Sequence, residues 1–234
     1  MHVKENKLFV AEALIRWHHP DCGLIFPGDF IPRAEKEGMI TDIGWWVLET
    51  LFEQQYAWQS SGTPLTNIAI NIAGEQFQDP LLIETTDKMI KSYSVPPDKI
   101  TYEITERDQI DLDTWSELVH HIEQKGILLS LDDFGTGFNT LVHLTKAQPS
   151  FVKVDRSFIS TITEDIKNEE VIRGMIFLSE RLGFCTIAEG VETKEQLNRV
   201  MQLGVKVIQG FYFDEALPAT QFHEKYLKVP KEMY

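Results

Sequence analysis

The 234-residue chain carries 22 Lys and Arg against 36 Asp and Glu, for a formal net charge of −14. With no basic tract to offset that charge, a general nucleic-acid surface is excluded, so no polymeric nucleic acid is expected as a partner. No apolar run reaches the roughly 18 residues of a membrane span, and the start, Met1-His2-Val3-Lys4-Glu5-Asn6-Lys7, lacks an apolar signal core. Hydrophobic residues at 43% and charged residues at 25% are an ordinary globular balance. Cys22 and Cys185 lie far apart and form no metal-type pair, which fits a reduced, cytoplasmic setting.

Along the chain, short apolar runs alternate with longer amphipathic stretches. Strands are predicted at Leu8 to Ile15, Asn67 to Ile72, Ile100 to Thr105, Ile127 to Leu131, Phe151 to Val154, Phe184 to Ala188 and Val205 to Ile208. These runs are short and rich in Ile, Val, Leu and Phe, as buried parallel strands are. Between them, Thr41 to Ser60 repeats apolar residues at Ile43, Val47 and Leu51, with Thr41 or Asp42 as its cap and Ser61-Gly62 as its stop. Glu169 to Leu182 and Thr193 to Leu203 also read as helices, closed by Gly183 and Gly204. Strand–helix alternation of this kind predicts βαβ units, a parallel sheet and a single α/β domain over residues 1–234. Seven strands are legible where a closed (β/α) barrel has eight.

The polar residues inside or just after these runs carry the chemistry. They are Glu12, Asn71, Glu103, Asp132 with Asp133, Lys153 with Asp155, Glu189 and Gln209. In a barrel, the strand C-terminal ends converge on one face, and these residues would meet there. Several carboxylates in one bowl cannot stay ionised together without positive charge among them, and one lysine is too little. Oxygen ligands suit hard cations such as Mg²⁺ or Mn²⁺. Two such ions about 3.5–4 Å apart would activate a water and stabilise the leaving oxygen of a phosphodiester. His18-His19 has no third His or Cys at ligand spacing, so a zinc site is not expected.

At these residues the chain resembles the EAL family of cyclic di-GMP phosphodiesterases. Glu12-Ala13-Leu14 is followed by Arg16-Trp17, Phe30-Ile31-Pro32, Asn71, Glu103-Ile104-Thr105-Glu106 and Asp132-Asp133-Phe134-Gly135-Thr136-Gly137. Lys153-Val154-Asp155-Arg156-Ser157-Phe158, Ala188-Glu189-Gly190-Val191-Glu192-Thr193 and Gln209-Gly210 complete the ordered set. The resemblance implies a TIM-like barrel that hydrolyses cyclic di-GMP to linear pGpG with two Mg²⁺ or Mn²⁺ ions. It implies Glu12, Asn71, Glu103 and Asp132 as ligands of one metal, and Asp132 with Asp133 for the second. Glu189 would orient or deprotonate the water, Lys153 would stand beside the scissile phosphate, and Glu106 would pin the loop after Asp133. Arg16, Asp155 and Gln209 would contact substrate. A homodimer and sensory or GGDEF-type partner domains are implied as well.

The family has a further strand before Glu12, but only residues 1–11 precede it here. The expectation is therefore a barrel lacking its first strand, with Glu12 on a sheet edge that favours association. That departure also sets the alternative function: a module that binds cyclic di-GMP or a protein while cleaving weakly or not at all.

Overall fold

A computed structural model describes residues 1–105, 110, 112–135, 140–146 and 149–228. In chain order its main elements are β1 (Ala11–Ala13), β2 (Trp17–His19), β3 (Gly23–Ile25), α1 (Pro27–Lys36), α2 (Ile40–Ser60), β4 (Ile68–Asn71), α3 (Gly74–Phe77) and α4 (Leu81–Tyr93). Then come β5 (Ile100–Thr105), α5 (Leu112–Gln124), β6 (Leu128–Phe134), α6 (Thr140–Lys146), β7 (Phe151–Val154), α7 (Arg156–Ser160), α8 (Ile166–Leu182), β8 (Cys185–Ala188), α9 (Lys194–Leu203), β9 (Val207–Ile208) and α10 (Ala219–Phe222).

All seven predicted strands enter one parallel sheet in the order β1-β4-β5-β6-β7-β8-β9. The fold is a TIM-like (β/α) barrel, curled but unclosed, since β1 and β9 are not neighbours. β1, β4, β8 and β9 are shorter than predicted, β1 and β9 by the most. Ladder pairing, not apolar composition, sets a strand's length, and Leu8–Val10 and Val205–Lys206 lie outside the ladders. β6 runs longer than predicted, through Asp132 and Asp133. On its free side β9 pairs with the chain's first residues, which run antiparallel to it. His2 bridges Val207, and the Ile208 amide donates to the Met1 carbonyl at 2.9 Å. β1 has β4 as its only strand partner among the described residues, as expected of an edge.

Strand alternation sorts the apolar residues into two bodies. Val152 and Val154 face outward into the main core, with Leu48 and Phe52 of α2, Ile70 of β4 and Ile172 of α8. Phe151, Ile187 and Val207 face inward, and Phe9, Val10, Leu128 and Cys185 pack around them. Phe151 shares its face with Lys153, and Ile187 shares its face with Glu189. The inner apolar layer is thus a floor beneath the polar strand ends. Cys185 is half-buried at this floor.

The helix boundaries fall close to expectation, with two corrections at helix starts; α8 begins at Ile166, capped by Asp165, three residues before Glu169. Thr193 caps α9 in a reciprocal box with Gln196, and Gly183 and Gly204 close α8 and α9. α2, however, begins at Ile40 after Met39, without a side-chain cap, so neither Thr41 nor Asp42 serves. The turn from α1 leads directly into it: Met39 N–H donates to Ala34 at 2.8 Å, and the Met39 carbonyl already accepts from Ile43. The Ile40 side chain is buried, so packing favours winding the helix from there.

Candidate active site

Lys153 organises the site. It stands on β7, pointing inward above Phe151, and its side chain is 0% exposed. Its Nζ donates to Glu12 Oε2 at 3.1 Å, Asp132 Oδ2 at 3.1 Å and Glu103 Oε2 at 3.4 Å, with Glu189 Oε2 at 3.6 Å. These acids come from β1, β6, β5 and the turn after β8, so five segments far apart in sequence meet at one ammonium. Glu12 is held from two further sides. Asn71 Nδ2, at the end of β4, donates to its Oε1 at 3.0 Å, and Gln209 Nε2, just after β9, donates to its Oε2 at 2.7 Å.

Local backbone features aim these side chains. Pairing between β6 and β7 shifts register between Leu131 and Phe134, which marks a bulge at Asp132-Asp133. Asp133 takes a left-handed φ of 54°, and its amide donates to Asp132 Oδ1 at 2.9 Å. A bulge turns two consecutive residues in different directions. Asp132 therefore faces Lys153, while the Asp133 side chain lies beside Asp155. Asp155 also caps α7, accepting from the Ser157 amide at 2.9 Å. Gly210, next to Gln209, has a φ of 155°, and a Cβ there would lie 2.1 Å from the Val191 carbonyl oxygen. Only glycine lets the Gln209 turn close against the segment that carries Glu189.

One cation serves four acids, and their proton affinities diverge accordingly. Burial pushes Glu12 up, but Lys153, Gln209 and Asn71 outweigh it and hold the carboxyl below its ordinary range. Burial pushes Glu103 well up, and the Glu12 charge adds to this faster than Lys153 can offset it. Glu189 rises to about 8, first from burial and then from Asp132 and Glu12, with Lys153 opposing. Burial alone would lower Lys153, but Glu103, Glu12, Asp132 and Glu189 together hold it well above an ordinary lysine. Among the described residues, no three acidic, histidine or cysteine side chains are arranged as they stand to hold an ion; the acids face the ammonium instead.

Of the residues singled out from sequence, Glu12, Asn71, Glu103, Asp132, Lys153, Glu189 and Gln209 join one network. Asp133 and Asp155 form a second pair beside it. Arg16 stays apart from both: its Nη1 donates to the Ile15 carbonyl at 2.9 Å, and its guanidinium lies 5.1 Å from the Phe26 ring centroid. Phe26 was not singled out as a platform, since nothing in its spacing marks one. Glu106 and residues 136–139 lie outside the described residues. His19 is used locally, its Nδ1 accepting from the Asp21 and Cys22 amides at the tip of the β2–β3 hairpin.

Fold and site together define a (β/α)-barrel domain with an acidic, lysine-centred bowl at its strand ends. The chain belongs to the EAL domain family, whose sequence model matches residues 1–216. It is 36% identical over 212 residues to the bifunctional diguanylate cyclase/cyclic di-GMP phosphodiesterase MucR of Pseudomonas aeruginosa, covering 90% of this chain and 31% of that protein. It is also 36% identical over 231 residues to the signaling protein YkoW of Bacillus subtilis, covering 98% of this chain and 29% of that protein. The chain thus spans under a third of either relative. The solved structure of the PaMucR phosphodiesterase in complex with c-di-GMP superposes with a TM-score of 0.86 at 35% identity, covering 92% of this chain and 87% of that one. No helix among the described residues is long and apolar enough to cross a membrane.

Proposed function

We propose that this chain hydrolyses cyclic di-GMP to linear pGpG in bacterial second-messenger signalling, with two Mg²⁺ or Mn²⁺ ions bound. The observation that carries the reading is the convergence of Glu12, Glu103, Asp132 and Glu189 on one buried ammonium. Four carboxylates against one cation leave an excess of negative charge, and their hard oxygen donors suit divalent cations. Glu12, Asn71, Glu103 and Asp132 would hold one ion, and Asp132 with Asp133 the other. Bound divalent cations supply a water of low pKa and charge stabilisation for the leaving oxygen.

The chain's own residues do the rest. Glu189, with its carboxyl raised to about 8, has a proton affinity suited to taking a proton from water near neutral pH. Lys153 is a preorganised donor, well excluded from solvent, for a phosphate oxygen on which charge develops. Asn71 and Gln209 grip Glu12 so that its carboxylate cannot swing. The Arg16 guanidinium, over the Phe26 ring, keeps further donors for a phosphate or a guanine edge. Asp155 and Gln209 would line the substrate wall, and Glu106 would hold the loop after Asp133. That one relative is named a cyclic di-GMP phosphodiesterase, and that a solved neighbour is a c-di-GMP complex, supports the same substrate.

Free Cys22 and Cys185 fit a reducing cytoplasm. We place the chain in a homodimer and, given how little of its curated relatives it spans, alongside sensory or GGDEF-type domains. The test is direct: the purified chain is incubated with cyclic di-GMP and Mn²⁺, and products are resolved by anion-exchange chromatography and mass spectrometry. A single product one water heavier than the substrate is expected. Nucleotide that stays intact while still binding overturns hydrolysis and leaves a binding module.

A further inference from the structure

Phe26 breaks a local rule without gaining burial. It is the N-cap of α1, where Ser, Thr, Asp or Asn would bond an orphan amide, and it makes no such bond. Pro27 follows at the start of the helix and holds Phe26 extended, with φ −89° and ψ 155°. Nor does the ring serve the core, since Phe26 is 53% exposed. A large apolar side chain that neither caps nor packs points to a functional use. Its position is set by the β2–β3 hairpin. Trp17 pairs with Ile25 there, so the antiparallel register continues to Arg16 opposite Phe26, with both on one face. The Arg16 guanidinium lies 5.1 Å from the Phe26 ring centroid. Among the described residues that guanidinium has no ion pair, and its one hydrogen bond runs from Nη1 to the Ile15 carbonyl.

We infer that Phe26 is a positioning residue for substrate: its ring holds the Arg16 guanidinium beyond the end of β1, where the remaining N–H groups meet the anionic dinucleotide. The inference rests on the substrate proposed above and names the residue that aims Arg16 at it. The charge of the bowl makes such a holder necessary. Arg16 stands four residues after Glu12, and the bowl sets four acids against one ammonium. A guanidinium free to swing would be drawn toward the surplus carboxylate. A carboxylate would neutralise it and occupy its N–H groups in the plane. An aromatic face does neither, since it attracts the cation through the ring and leaves the N–H edges free. A ring at residue 26 therefore keeps Arg16 charged, placed and unpaired. Holding the side chain in place beforehand also reduces the entropy lost when substrate binds.

A double-mutant cycle on the whole chain tests this, with initial rates measured on cyclic di-GMP and Mn²⁺. Phe26→Ala should raise KM about two- to fivefold, the size of an exposed cation–π contact. Its kcat should stay nearly unchanged, as for binding shared by the ground and transition states. Phe26→Trp, which offers a stronger face for a cation, should keep KM at the parent value or below. Arg16→Met should raise KM further than Phe26→Ala does, and Phe26→Ala added to it should change nothing more. A chain that binds without cleaving sinks the hydrolysis reading alone; calorimetric Kd then replaces KM in the same cycle. A parent that neither binds nor cleaves overturns both. A merely structural ring would shift the urea midpoint and raise KM equally with or without Arg16. That result, or an unchanged KM in Phe26→Ala, overturns the inference.

Discussion

Two ionic clusters in this molecule are built in opposite ways. On the outer layer, Glu169 of α8 receives Arg173 Nη2 at 2.7 Å and both Nε and Nη2 of Arg199, from α9. Two guanidiniums serve one acid, and they hold its carboxyl below the ordinary range. In the bowl, one ammonium serves four acids, and Glu103 and Glu189 rise instead. The outer cluster is neutralised by its own chain and asks for nothing more. The inner one lacks compensating charge, a common signature of a site that takes up cations. The clusters differ in burial too, since the outer guanidiniums are half-exposed and the Lys153 ammonium is fully buried; burial and the ratio of acids to cations together separate the two.

The largest effect should come from removing the hub. Lys153→Met leaves four acids without a cation, and breaking a buried ion pair by removing one partner costs about 3–5 kcal/mol. Urea titration without divalent cations should show a loss of that size, and turnover should fall by about 10²-fold or more. Added Mn²⁺ should return part of the stability but not the turnover. A variant as stable as the parent in EDTA would contradict the view that Lys153 alone compensates the acids.

Glu189→Gln sharpens the contrast between chemistry and architecture. It keeps shape but removes proton uptake, so turnover should fall about 10²- to 10⁴-fold while substrate affinity, measured by calorimetry, changes little. Cleavage at the parent rate would remove Glu189 from the reaction.

The pH dependence follows from the raised acids. Glu189 rises from 4.5 to about 8 on folding, so the native state binds more protons than the unfolded state between those values. Stability in EDTA should therefore be fully present below about pH 4.5, fall as pH rises, and level off above about 8. The slope from one such group is at most about 1.4 kcal/mol per pH unit. Saturating Mn²⁺ should flatten this slope, since a bound cation favours the charged carboxylates. Urea midpoints across that window, with and without Mn²⁺, measure it; a flat profile in EDTA would count against the charge imbalance.

The smallest effect belongs to the outer cluster. Arg173→Ala leaves Arg199 in place, and the half-exposed pair it removes is worth about 1 kcal/mol or less. Turnover with Mn²⁺ should match the parent. A large loss of activity would show that the outer and inner clusters are coupled after all.

Much of this architecture is legible along the chain. Apolar runs bounded by turn signals locate all seven strands, and glycines after Leu182 and Leu203 locate two helix ends. The residues of the bowl also declare themselves, because a charged side chain at the end of an apolar strand is rarely accidental on successive strands. The start of α2 differs from expectation because Thr41 and Asp42 are good caps in isolation, yet the left-handed turn at Gly38 delivers Met39 in a helical conformation and Ile40 is already buried.

Residue order along the chain sets the inventory: which strands exist, which carry carboxylates, and the family to which their order belongs. Local propensity and period-two alternation suffice for that, since they act between near neighbours. The allocation comes from contacts made in three dimensions. They placed Lys153 at the common centre of four acids, divided Asp132 from Asp133 through a bulge, drew Asp133 to Asp155, and left Arg16 on Phe26 rather than on an acid. Each outcome depends on contacts between residues as far apart as Glu12 and Gln209, whose meeting at 2.7 Å follows from the curl of the sheet. Charge balance in the bowl is a sum over all of these partners, and no single segment of the chain contains it.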